Sequence, residues 1–189
     1  IKINTVVIRG WNDDEIVDFA EFARNSGYTI RFIEFMPLDG SGIWQPNLVF
    51  SKKEIVEIII KNISEIVPLD NYHNNNNDDD DSNIPDNTDP AMLYSFVDGK
   101  GTIGFIPSIT EPFCGNCDRI RLTSDGRLLT CLFENPGYDL RSMLRSGKSE
   151  YYIKKQLIEN IKKKPEGIIK SIKTNTLKPS LNAMHTIGG

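Results

Sequence analysis

Histidine and cysteine are scarce in this sequence, and one long segment has neither lysine nor arginine. Its 189 residues include two histidines, His73 and His185, and three cysteines, Cys114, Cys117 and Cys131. Two imidazoles so placed exclude a histidine-rich metal centre. Three thiols cannot all pair in disulfides, and the Cys114-x-x-Cys117 spacing suits metal or redox work, which points to a reducing compartment. No apolar run reaches the roughly 18 residues needed to cross a bilayer, so a soluble protein is expected. The opening residues IKINTVVIRG read as a strand and not as a secretory signal. Asp70–Pro90, DNYHNNNNDDDDSNIPDNTDP, has seven Asp and no Lys or Arg. Setting it aside takes 26 acidic residues to 19 against 22 basic ones, about +3, a mild excess that suits an anionic ligand. The segment has little to bury and its aspartates repel one another, so it reads as a disordered insertion.

What remains has the composition of an ordinary globular protein, and the part before the insertion reads as β/α units. Lys2–Ile8 is β-branched and apolar on both faces, as a buried parallel strand should be. Asn12 or Asp13 can cap a helix whose stripe is Ile16, Phe19, Ala20 and Ala23, and Gly27 can end it. Tyr28–Met36 is a second buried strand. Ser51 and Glu54 form a capping-box pattern ahead of Ile55, Ile58, Ile59 and Ile63. Strand, helix, strand, helix predicts a parallel sheet or barrel. After the insertion, Asp98-Gly99 and Asp125-Gly126 each lie between apolar runs and predict antiparallel hairpins. Leu140–Lys164 returns to a helical pattern, and Lys178–Gly189 is an irregular tail.

Polar residues on these strands are candidates for a site. Lys2 and Asn4 share one strand face; Arg31 and Glu34 interrupt the second strand, either as an internal ion pair or as part of a phosphate site. Met36, at that strand's end, suits ordinary core. The stretch Phe113–Phe133, FCGNCDRIRLTSDGRLLTCLF, gathers every thiol in the chain. The polar Gly115-Asn116 turn between the first two is a metal-loop composition. A structural zinc needs a fourth ligand, whereas three thiolates suit a four-iron cluster with one iron left open. A three-residue loop at Ser124–Gly126 would pair Thr123 with Arg127 and set Cys131 opposite Arg119; a two-residue loop would put Cys131 on the other face.

FCGNCDRIRLTSDGRLLTCLF resembles the carboxy-terminal cluster motif of the molybdenum cofactor biosynthesis protein A (MoaA) family, radical S-adenosylmethionine (SAM) enzymes that act as GTP 3′,8-cyclases. YTIRFIEFMPLDGSGIW, IKINTVVIRGWND, GTIGFIPSITEPFC and the terminal MHTIGG are similar to the family too. The resemblance implies an α/β fold: the last βα units of a TIM-like radical-SAM barrel over residues 1–69, the insertion at 70–90, and an α+β cluster and GTP-binding region over 91–189. It implies a [4Fe-4S] cluster on Cys114, Cys117 and Cys131 with one iron open to guanine. GTP contacts are implied at Lys2, Arg31, Arg119, Ile120 and Arg121, and a SAM contact at Met36. The matching tail, Gly188 and Gly189, enters the family's active site. No Cys-x-x-x-Cys-x-x-Cys is present, so the chain corresponds to the carboxy-terminal part of such a lyase and is expected to be inactive alone.

The implied partners are GTP, SAM, the amino-terminal barrel part with its own [4Fe-4S] cluster, and the cyclic pyranopterin monophosphate synthase that acts downstream. A homodimer stays open; neither nucleic acid nor membrane is expected. The implied location is the mitochondrial matrix in a eukaryote or the cytoplasm in a bacterium. Two alternatives remain at this point: a zinc-stabilised nucleic-acid-binding module, and another radical-SAM protein with an auxiliary cluster.

Overall fold

The computed structural model describes residues 1–38, 40, 42–69, 90–134, 136–164, 167–174, 176 and 177. Nearly all of the Asn/Asp-rich segment and the tail from 178 onward lie outside them, as do both histidines. The described chain forms two units: Ile1–Met36 with Pro46–Phe113, and Pro37–Gln45 with the residues from Cys114 onward.

The first unit is built on a five-stranded mixed sheet in the order β1-β2-β5-β4-β3. Its strands are β1 (Lys2–Val7), β2 (Thr29–Glu34), β3 (Ile66–Pro68), β4 (Met92–Phe96) and β5 (Thr102–Ile106). β1, β2 and β5 run parallel, and β4 and β3 follow antiparallel. The hairpin expected at Asp98-Gly99 is present as β4–β5. It does not stand apart from the parallel strands, because β5 pairs directly with β2. Helices α1 (Ile16–Ser26) and α2 (Lys52–Asn62) supply the core with Ile16, Ala20, Ala23, Ile55 and Ile59 against Ile30, Phe32, Ile103 and Phe105. Phe32 and Phe105 stack with centroids 6.0 Å apart. Burying such side chains contributes roughly 1.5–3 kcal/mol each.

Two local expectations need correction. β1 is an edge strand with one open face: Lys2, Asn4 and Val6 are exposed and only Val7 is buried. Neither Asn12 nor Asp13 caps α1. Asn12 instead accepts from the Ile8 amide and donates to the Val6 carbonyl, and Asp13 accepts from Gly10, so both fasten the turn after β1. The expected left-handed stop is present at Gly27, with φ 73°. The Ser51–Glu54 capping box of α2 is complete in both directions.

The second unit carries a three-stranded antiparallel sheet of β6 (Arg121–Leu122), β7 (Arg127–Leu129) and β8 (Tyr138–Asp139). Helices α3 (Leu140–Arg145), α4 (Glu150–Lys162) and α5 (Ile169–Lys173) follow. The helical stretch expected from Leu140 to Lys164 is therefore broken, at Ser146 and the left-handed Gly147. Both helices restart on caps, Asp139 accepting from the Ser142 amide and Ser149 from that of Tyr152.

Candidate functional site

The β6–β7 hairpin fixes the frame for the thiols. Arg121 pairs with Leu129 and Leu122 with Leu128, and the Thr123 amide donates to the Arg127 carbonyl at 2.9 Å. Gly126 has φ 82°. This is the register of the three-residue loop. Left-handed Gly126 turns the chain where its own Cβ would come within 2.6 Å of Arg141 Cβ. The ladder ends at Arg121–Leu129, two residues short of Arg119 and Cys131.

All three cysteines are half-buried free thiols. Cys114 opens a tight turn that closes with the Cys117 amide on the Cys114 carbonyl, at 3.3 Å. Cys131 begins a second turn, held by Glu134. One Glu134 carboxylate oxygen accepts from the Thr130 amide at 2.6 Å, the Thr130 hydroxyl at 2.9 Å and the Cys131 amide at 3.3 Å. Gly167 brings the two turns to one place: a Cβ there would lie 2.4 Å from Cys114 Sγ and 4.0 Å from Cys131 Sγ. Burial pushes the Cys131 thiol above its ordinary 9.0, and neighbouring Cys114 and Cys117 push it the same way, against the Phe133 amide and the Lys164 ammonium. At neutral pH this thiol holds its proton, which a metal would have to displace.

Lys164 reaches into the same turn. Its Nζ donates to the carbonyls of Cys117 at 2.5 Å and Arg119 at 2.9 Å, and stands 3.6 Å from Cys117 Sγ. Arg119, on the connection into β6, and Arg121, the first residue of β6, are half-buried, and Ile120 between them is 49% exposed. Glu134 commits one carboxylate oxygen to the Cys131 turn. Among the described residues, no three His, Cys, Asp or Glu side chains converge closely enough to hold a single ion. The donor set still fits a multi-iron group: three soft thiols lie on two turns, and Gly167 stands against Cys114 of one and Cys131 of the other.

On the first unit, the sheet face opposite the helices carries the other sequence candidates. Asn4, Arg31 and Gly104 lie in one row across β1, β2 and β5, with Lys2 one step along the same face. Gly104 makes room for Arg31: a Cβ at that position would meet Arg31 Cγ at 2.9 Å. Glu34 points to the helix face and is not Arg31's partner. It is 2% exposed, and its carboxylate accepts from the amides of Lys52 at 3.1 Å, Ile109 at 2.8 Å and Thr110 at 2.7 Å, and from the Thr110 hydroxyl. Met36 is half-buried just beyond β2. Gly188 and Gly189 lie outside the described residues.

Residues 28–169 match the family model described as Molybdenum Cofactor Synthesis C. That span includes all three cysteines, both arginines, Lys164 and Gly167. The chain belongs to this family. It is 39% identical to a GTP 3′,8-cyclase of Thermodesulfovibrio yellowstonii over 100% of this chain and 52% of that protein. It is 41% identical to GTP 3′,8-cyclase 3 of Mycobacterium tuberculosis over 78% of this chain and 35% of that one. Molybdenum cofactor biosynthesis protein 1 of Drosophila melanogaster is 38% identical over 85% of this chain and 25% of its own length. The chain thus spans about half the length, or less, of the curated relatives it matches. Among the described residues no helix is long and apolar enough to cross a membrane.

Sequence reasoning missed Lys164, Gly167, Glu134 and the role of Glu34. Lys164 ends a basic run that resembles a solvated helix end. Gly167 carried a faint signal, standing two residues after Pro165 where a helix has just stopped.

Proposed function

We propose that this chain is the carboxy-terminal part of a GTP 3′,8-cyclase, carrying its substrate-side iron–sulfur site and part of its GTP site. Cys114, Cys117 and Cys131 would hold a [4Fe-4S] cluster, which would supply a Lewis-acidic anchor for the guanine. Arg119 and Arg121 would bind the GTP phosphates through guanidinium forks that cannot lose their charge, with Ile120 against the ligand. Lys2 and Arg31, on the polar sheet face, would make further GTP contacts, and Met36 would lie beside SAM. The open face and free edge of β1 suit the last strands of a barrel whose earlier units come from an amino-terminal part. That part would bring the second cluster and the SAM that generates the radical. The Gly188-Gly189 tail would then position GTP for loss of its 3′ hydrogen. The product would be 3′,8-cyclo-7,8-dihydro-GTP, taken up by the cyclic pyranopterin monophosphate synthase.

The observation that carries this reading is that Gly167 stands against both Cys114 and Cys131, with Cys117 closing the Cys114 turn, within the span matched by the family model. Anaerobic reconstitution tests it. The chain should take up about four irons and four sulfides, and Cys131→Ala should take up far less. One zinc with almost no iron would overturn it. The loaded chain should bind GTP, and alanine at both Arg119 and Arg121 should weaken that binding. Unchanged affinity in the double variant would remove the arginines from the site.

A further inference from the structure

Lys164 stands where a helix ends and the thiol turn begins. The last turn of α4 tightens, with the Lys164 amide donating to the Ile161 carbonyl at 3.1 Å, so its backbone is fixed. Four residues on, Ile168 is 1% exposed and anchors the start of α5. The stretch is therefore held at its described ends, where Lys164 and Gly167 each meet the cysteine turns. Its Gly167, at φ 65°, packs backbone against Cys114 Sγ where any side chain would collide. Its Lys164 ammonium bridges the carbonyls of Cys117 and Arg119 and faces Cys117 Sγ.

A half-buried ammonium does two things here. It ties the residue bearing the second thiol to the first arginine, fixing the backbone angle from Cys117 to Arg119. It also places a positive charge 3.6 Å from the sulfur of Cys117, with its field felt at Cys131 as well. Charge and hydrogen bonds at ligating sulfurs favour the more reduced, more negative state of an iron–sulfur group. We infer that Lys164 is a positioning residue, a clamp that sets the Cys117–Arg119 bend and tunes the sulfur of Cys117. The inference rests on the cluster reading above, and it assigns a role to a residue outside the cysteine–arginine motif.

The test uses the whole 189-residue chain with Lys164→Met and Lys164→Arg. In the metal-free protein, amide exchange over residues 117–121 should speed on the order of tenfold in the Met variant, since two charge-assisted hydrogen bonds are lost, while β4 and β5 are unaffected. After reconstitution, the Met variant's midpoint potential should move to more negative values and the Arg variant should restore it; a merely structural lysine would leave the potential alone. A Met variant with the wild-type midpoint overturns the inference, whatever its exchange. If the Met variant does not fold, Lys164→Gln takes its place: it keeps a donor and drops the charge, and an unshifted midpoint overturns the inference equally. If the unaltered chain takes up no iron, the cluster reading fails, and exchange in the metal-free Met variant alone decides the clamp: unchanged exchange rejects it.

Discussion

Replacing Glu34 should loosen two segments of the first unit at once. Its carboxylate receives the amide of Lys52, at the start of α2, and the amides of Ile109 and Thr110, after β5. Glu34→Gln keeps one acceptor oxygen. If that oxygen stays on the Ile109 and Thr110 amides, the new amide nitrogen faces the Lys52 amide, donor against donor. Losing one charge-assisted bond and weakening two others amounts to about 2–3 kcal/mol. Glu34→Ala leaves three amides without an acceptor at roughly 1–3 kcal/mol each. Water can reach the exposed Thr110, which places the expected cost at about 3–5 kcal/mol. Urea denaturation followed by far-ultraviolet circular dichroism gives both values, provided the slope with denaturant is unchanged. Amide exchange should show Lys52, Ile109 and Thr110 losing protection together. An alanine variant less than about 1 kcal/mol below the parent, with Lys52 still protected, would refute the reasoning.

Gly101→Ala should cost about 2–5 kcal/mol, because φ is 70° and the new Cβ would come within 2.5 Å of the Ala23 carbonyl oxygen on α1; a thermal midpoint equal to the parent's would count against the packing of α1. Glu54 feels burial that raises its carboxyl pKa, outweighed by Ser51 and Arg9, which hold it below the ordinary 4.5. Its contribution is therefore present above that value and lost as pH falls through the lower folded one. Glu54→Gln should flatten the acid limb of a stability–pH curve, and an unaltered limb would exclude this pairing. Ser51→Ala should cost about 1 kcal/mol in the same denaturation assay. In a chimera completed with a relative's amino-terminal half, deleting Gly188 and Gly189 should leave iron content and GTP affinity intact and abolish cyclised product; normal turnover would reduce the tail to a chain end.

Short-range periodicity made much of the fold legible. α1, α2, β2 and both hairpins follow from apolar spacing, the Ser51–Glu54 box, and Gly at left-handed positions. The pairing of β5 with β2 did not follow, because it joins strands separated by some seventy residues and leaves no local trace. Asn12 looked like a helix cap but was taken by the turn just before the helix. At the site, the thiols and arginines were readable from the chemistry of their side chains. Glu34 and Glu134 were not, because each works by accepting backbone amides, and amides look alike at every position. Lys164 was hidden for a related reason: its targets are two carbonyls and one sulfur brought near it only by the fold.

The outer strands β3 and β4 have a practical consequence. They are the last pair in the sheet order, and Pro68 at the end of β3 pairs with Tyr94 in β4, so the two ends that the Asn/Asp-rich segment joins are already side by side. Closing a gap between neighbouring ends costs only about 0.6 kcal/mol more for each doubling of its length. The junction is a natural splice point: a fluorescent reporter or an affinity domain with adjacent termini can be grafted there in place of residues 70–89, leaving the thiol hairpin untouched.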